Sequence, residues 1–259
     1  MTVIWVPLIW LMVKIVMKII PEGQKKVYSN AEPQFLDSKL VSQPTAALQL
    51  VVKEVARCIE LVSGNLKELI AVSTEGDSEK IKEVIQNSED TRKLYERITE
   101  YLSELFASGG LTEDQATQTA GIMYILSDVD RMSALCREVC LSLKDKEEKK
   151  YKYSKDAMRD MQHSLHLIQE MFTKAVQMMV SGNTDAAKDI LKQKEKTLDL
   201  GIKMRKSHVE RVGEGKCKAK LTEPYNRIIH HIDRMGNCCI NIVDAVQGKM
   251  GESYLETVA

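Results

Sequence analysis

The chain has 259 residues, 44% of them apolar, which is enough to bury the core of one large domain or two ordinary ones and excludes a disordered chain. Only 5% are aromatic and five are proline, a composition that favours helices over sheets. The 37 basic residues balance 37 acidic ones, so no strong positive field would attract DNA or RNA, and we expect no nucleic-acid partner.

The first 21 residues are predicted to be the C-terminal part of a transmembrane helix. Residues 3–13 are uninterrupted apolar, Lys14 and Lys18 follow, and Pro21 ends the run. A bilayer span needs about 20 apolar residues, so we expect the helix to begin upstream. Lysines after an apolar run indicate a cytoplasmic end, which predicts an inner-membrane anchor with the rest of the chain in the cytoplasm. An amphipathic surface helix or a displaced core helix is the alternative.

The segment 44–143 is predicted to fold into three helices. Apolar residues recur every three or four positions over 48–69 and again over 81–105, which is typical of helices that pack in a bundle. The third helix is predicted to begin at Thr112, whose partner Gln115 completes a capping box.

A second set of three helices is predicted over 154–248. Its apolar residues show the same helical period, and a charged segment at 144–153 separates it from the first set. A linker at 22–43 precedes the first set, and a tail at 249–259 follows the second.

The two sets are predicted to be copies of one unit. "GDSEKIKEVI" from Gly76 matches "GNTDAAKDIL" from Gly182. The tripeptide Asp130-Arg131-Met132 matches Asp233-Arg234-Met235. Duplicated units usually pack about a pseudo-twofold axis. We therefore predict an all-α fold of two tandem three-helix bundles, preceded by the partial transmembrane helix.

Three further stretches are distinctive in combination. They are "FLDSKLVSQPTAALQLVVKEVAR", "MRKSHVERVGEGKC" at 204–217 and "HHIDRMGNCCINIVDAV" at 230–246. With the repeated tripeptide, they resemble the PhoU family, and in particular the cytoplasmic C-terminal domains of bacterial sodium/phosphate cotransporters. The resemblance implies a non-catalytic module that senses or gates a sodium-dependent phosphate transporter, whose transport core would lie upstream.

The implied partners are that transmembrane core, the inner membrane and a second copy in a homodimer. Two other functions stay open: a metal-binding phosphate-signalling protein of the PhoU type, and a membrane-tethered helical adaptor with no link to phosphate.

The resemblance also implies where a metal would bind. PhoU proteins carry Glu-x-x-x-Asp, which places both carboxylates on one helical face, where they can hold iron or zinc. Here the pairs are Asp130 with Ala134 and Asp233 with Asn237, so each copy has lost its second carboxylate. Asp130, Asp233 and Asn237 are the candidate ligands. Because most of the charge is missing, we expect no resident cofactor. We predict instead that both aspartates form ion pairs or hydrogen bonds, either with Arg131 and Arg234 or with a neighbouring helix.

The remaining side chains of note are cysteines, histidines and one arginine. The six cysteines show neither the density of a disulfide scaffold nor paired CxxC spacing, and reduced thiols in a cytosolic compartment fit them best. His208, Arg211 and His230, near the end of the fifth helix and in the sixth, are candidate interface residues. No Ser-His-Asp arrangement, glycine-rich phosphate loop or HExxH motif occurs, so we do not expect an enzyme.

Overall fold

The computed structural model describes residues 31–75, 78–148 and 153–248. Six α-helices occupy most of these ranges: α1 (Pro44–Glu75), α2 (Ser78–Ala107), α3 (Glu113–Glu148), α4 (Lys155–Ser181), α5 (Ala187–Gly213) and α6 (Thr222–Val246). Short 3-10 helices at Ser38–Leu40 and Ala219–Leu221 precede α1 and α6. The described residues contain no strand, which confirms the all-α prediction.

Local hydrogen bonds set several helix ends. At the start of α3, the Gln115 N–H donates to Thr112 Oγ1 (3.3 Å) and the Thr112 N–H donates to Gln115 Oε1 (3.0 Å), which confirms the capping box. Ser154 accepts from the Ala157 N–H and begins α4, and Gly182 ends that helix in the left-handed conformation at φ 68°. Helix α3 continues to Glu148, into the predicted linker at 144–153, because lysine and glutamate are good helix formers.

One hydrophobic core extends through both halves of the molecule. Buried apolar residues of all six helices belong to a single cluster, which includes both methionines of the repeated tripeptide, Met132 and Met235. Helices α1, α2 and α3 pack on one another, as do α4, α5 and α6. The two trios meet where α3 packs along α6 and α1 packs against α4.

A buried carboxylate fixes the segment that leads into α1. Glu54 Oε2 accepts from the backbone N–H groups of Gln34 and Phe35, both at 2.9 Å. The Tyr101 hydroxyl on α2 donates to the backbone carbonyl of Asp37 at 2.9 Å. This part of the predicted linker is therefore attached to the first bundle.

The predicted membrane segment, 1–21, and the predicted tail, 249–259, lie outside the described residues. Of the helices that are described, none combines the length and the apolar character needed to cross a membrane.

Candidate functional site

The repeated Asp-Arg-Met tripeptide lies on α3 and α6, the two helices that join the halves. Met132 and Met235 are fully buried. Arg131 is partly exposed, with its Nη1 3.9 Å from Asp128 Oδ1, and Arg234 is exposed. The two methionines therefore pack in the hydrophobic core, and the two aspartates lie at its edge.

Asp130 forms an ion pair with the preceding helix of its own bundle. Arg92 of α2 donates from Nη1 to Asp130 Oδ2 at 3.1 Å, and from Nε to Glu96 at 3.0 Å. Burial raises the pKa of the Asp130 carboxyl, and the Arg92 guanidinium offsets part of that rise. The carboxylate is thus already paired with a cation.

Asp233 is held in the same manner in the second bundle. The Lys194 ammonium on α5 contacts the Asp233 carboxylate and also donates to the Asp233 backbone carbonyl at 2.9 Å. A Cβ at Gly236 would lie 2.9 Å from Lys194 Cδ, so the glycine makes room for the lysine across the surface of α6. Lys194 is the less exposed of the two cations, at 13% against 58% for Arg92, whereas the Asp233 carboxylate is more exposed than that of Asp130, at 31% against 15%.

These contacts do not fit a metal centre at the predicted ligands. Asp130 and Asp233 each face a cationic side chain, Ala134 has no ligand atom, and the Asn237 side chain is exposed and neutral. Within the described ranges, no three His, Cys, Asp or Glu side chains are grouped to hold an ion. The expectation of ion pairs matches these contacts, although the helices that supply the cations were not identified from the sequence.

A polar contact joins the two halves, and it was not predicted from the sequence. Asn241 Nδ2 on α6 donates to Oδ1 of the buried Asp128 on α3 at 3.1 Å, and burial raises the pKa of that carboxyl. In the alignment that superposes the tripeptides, Asp128 corresponds to His231 and Asn241 to Glu138. Burial lowers the pKa of His231, while the charge of Glu138 acts in the opposite direction. The polar residues where α3 meets α6 therefore occupy equivalent positions in the two repeats.

His208 and Arg211 lie inside the second bundle. His208 Nε2 is 3.1 Å from Thr222 Oγ1, and its ring centroid is 4.9 Å from that of Tyr225. The Arg211 side chain is buried, and its Nε and Nη2 make no hydrogen bond to any residue in the described ranges. Burial lowers the pKa of His208, and the nearby Arg211 lowers it further. Of the three candidate interface residues, His230 is the exposed one, and it lines an open groove at the start of α6.

Comparisons with known proteins agree with this architecture. A family model described as the PhoU domain matches residues 55–143 and 161–246, one range in each half of the chain. The phosphate-specific transport system accessory protein PhoU homolog 1 of Thermotoga maritima is 24% identical over 218 residues, which cover 82% of this chain and 92% of that protein.

Two crystal structures share the fold. PhoU from Pseudomonas aeruginosa superposes with a TM-score of 0.73 at 15% identity, over 84% of this chain and 100% of that chain. The phosphate transport system regulatory protein PhoU from Streptococcus pneumoniae gives 0.69 at 16% identity, over 84% and 98%. The predicted fold of two repeated three-helix bundles is confirmed.

Proposed function

We propose, from the premise that this chain belongs to the PhoU domain family, that it is the regulatory module of a sodium-dependent phosphate transporter. The family match across both bundles carries the proposal. It is supported by the similar proteins, which are described as an accessory protein and a regulatory protein of phosphate transport. The stretch at 35–57, which resembles the cotransporter domains, supplies the link to sodium.

The hydrogen bonds within residues 34–57 indicate how the module would act on a membrane partner. This stretch forms the lead-in and the first part of α1, and Glu54 holds its start through two backbone hydrogen bonds. A rearrangement of the first bundle would therefore displace the segment that precedes residue 34. Under this proposal the bundles lie on the cytoplasmic side of an inner membrane, and the displaced segment leads to the transport core.

We assign the module no catalytic step and no resident metal. Burial raises the pKa of the Cys58 and Cys140 thiols to about 12, so few reactive thiolates form at neutral pH. The two tripeptide carboxylates are paired with Arg92 and Lys194, which leaves them poorly suited to act as a base or as metal ligands. Regulation would then depend on packing and contacts between helices.

Uptake of radiolabelled phosphate, measured with and without a sodium gradient, tests the proposal. We expect that deleting the two bundles, residues 44–248, with the upstream coding sequence left intact, abolishes the decrease of sodium-driven uptake that occurs in phosphate-rich medium. Glu54→Gln, which weakens the attachment of the lead-in, should impair the decrease, whereas Glu60→Gln at an exposed position of α1 should not. A decrease of uptake that persists after this deletion would contradict the proposal, as would a change in uptake that does not depend on sodium.

A further inference from the structure

Four large apolar side chains form an exposed line along α5. These side chains are 43–64% exposed and belong to Leu191, Leu198, Ile202 and Val209. Among the described residues, the one other large apolar side chain with similar exposure is Phe106, at 41%. The spacing of the four, at seven, four and seven residues, places them on one helical face, over about 27 Å. We call these four residues the α5 stripe.

The bundle itself does not require the α5 stripe. In the alignment that matches Gly76 with Gly182, the positions of Leu198 and Ile202 correspond to Arg92 and Glu96 on α2. These two side chains form an ion pair at 3.0 Å and are more than half exposed. The equivalent helix of the first bundle therefore presents charge where α5 presents apolar side chains, and large apolar side chains that share one exposed helical face mark a candidate interface.

The α5 stripe is symmetric about position 200. Leu198 and Ile202 lie two residues on either side of this position, and Leu191 and Val209 lie nine residues on either side. A twofold axis at this level would pair two antiparallel copies of α5 so that each apolar side chain faces another. Self-complementarity of this kind is what an isologous dimer needs.

Charges on the same helical face have the same symmetry. Glu195 and Arg205 lie five residues on either side of position 200. Glu195 is exposed and Arg205 partly exposed, and neither forms an ion pair or hydrogen bond with another described residue. The antiparallel arrangement places Glu195 level with the partner's Arg205, twice per dimer. A parallel arrangement would place like charges level with each other, so the charges select the antiparallel one.

A small cavity lies at the centre of the α5 stripe. Its volume is about 60 Å³, and its walls include Leu198, Gly201 and Ile202 of α5 and Ile229 of α6. A Cβ on Gly201 would lie 3.2 Å from Ile229, so the glycine lets the two helices approach closely. The cavity can receive part of an apolar side chain from a second copy close to the twofold axis.

We propose that two copies of this chain associate through their α5 stripes, antiparallel, about a twofold axis at position 200. One helix from each copy supplies most of the contact, so the interface is expected to be at or below about 1,200 Å². A dissociation constant in the micromolar range is the corresponding expectation.

Charge reversal tests the pairing in sedimentation experiments on the full chain, in a non-ionic detergent just above its critical micelle concentration. Glu195→Arg and Arg205→Glu should each weaken dimerisation about tenfold, because each places like charges opposite each other. The double variant should recover the wild-type dissociation constant. Single variants that weaken association without recovery in the double variant would overturn the antiparallel register.

Ile202→Glu should abolish the dimer, and Phe106→Glu is the matched control at an exposed apolar residue outside the α5 stripe. Circular dichroism establishes that both variants remain folded. Wild-type protein that is still monomeric at a concentration 100 times the expected micromolar dissociation constant would overturn the proposal. So would a dimer that survives Ile202→Glu, or a monomer that binds lipid vesicles through this surface.

Disulfide formation independently tests whether the two α5 helices of the dimer run antiparallel. The full chain with both Leu191→Cys and Val209→Cys should form a covalent dimer on mild oxidation, whereas each single variant should form little. Efficient dimers from either single variant would show a parallel pairing and overturn the proposal. The wild type is a suitable background, because all six of its cysteines are buried.

Discussion

Asp128 is a buried carboxylate between the two bundles, and its charge should make stability depend on pH. Burial raises its pKa in the folded state, so that state binds the proton more tightly than the unfolded chain. Its contribution to the free energy of unfolding therefore falls as the pH rises from the ordinary carboxyl pKa of about 3.9 through the folded-state value.

Asp128→Asn keeps an oxygen that can accept from Asn241 and removes the charge. We expect the variant to become more stable relative to the wild type as the pH rises through this range. Urea unfolding of both proteins at several pH values measures the difference. A difference that stays constant with pH would contradict the expectation.

Lys194, the cation that faces Asp233, should stabilise the fold more than Arg92, the cation that faces Asp130. Lys194 is only 13% exposed and also donates to the Asp233 backbone carbonyl, so Lys194→Met loses both contacts, and we expect a loss of about 1–2 kcal/mol in the free energy of unfolding. Arg92 is 58% exposed, so Arg92→Met should cost less than about 1 kcal/mol. Chemical denaturation measures both, and Asp233→Asn should recover part of the loss in Lys194→Met. Equal costs for the two variants would contradict this ranking.

The sequence identified Asp130 and Asp233 but not the cations that face them. Spacing along one helix shows which residues share its face, and the repeated tripeptide singles out the aspartates. Arg92 and Lys194 lie on other helices, so pairing them with the aspartates requires the relative rotation and register of two packed helices. That information is not contained in the period of either helix.

At the level of helices, the lead-in to α1 depends on a single carboxylate. Glu54 accepts two backbone N–H groups, and its Oε1 lies 2.9 Å from Arg57 Nη1. Glu54→Gln loses the charge on these hydrogen bonds, so amide hydrogen exchange at Gln34 and Phe35 should become about tenfold faster. Glu60→Gln serves as the exposed control. Unaltered exchange at both amides would show that other contacts hold the lead-in.

The existence of the helices could be predicted, whereas their ends could be predicted only in part. The apolar period indicated all six, and Thr112 with Gln115 marked the start of α3. Helix α5 begins at Ala187, after a turn in which the Asn183 side chain accepts from the Asp185 N–H. The charged residues after 143 continue α3, since their own helical propensity suffices where no glycine or proline stops the helix.

For the whole molecule, the shared core predicts that both bundles unfold together. Helix α3 packs along α6, and one apolar cluster includes all six helices. Calorimetry should therefore show one transition, and Met132→Ala and Met235→Ala should each cost about 2–4 kcal/mol in that same transition. Two separate transitions, each sensitive to one of the variants, would contradict a common core.

The repeat and the fold class followed from the sequence, because matched segments and a helical period are local properties. Two other features, the α5 stripe and the contacts between the two bundles, could not be predicted from the sequence. Leu198 and Ile202 have the apolar character of core residues, and only the packed structure shows that their face of α5 is exposed. The symmetry about position 200 becomes meaningful once that exposure is known.

Arg92 and Lys194, and not a bound metal, are the proposed partners of the Asp130 and Asp233 carboxylates in this member of the PhoU domain family. The decisive experiment is elemental analysis of the full chain, purified without chelators after exposure to iron(II) and zinc. We expect no iron, zinc or manganese in stoichiometric amount. One or more equivalents of metal that disappear in Asp130→Asn or Asp233→Asn would overturn this assignment.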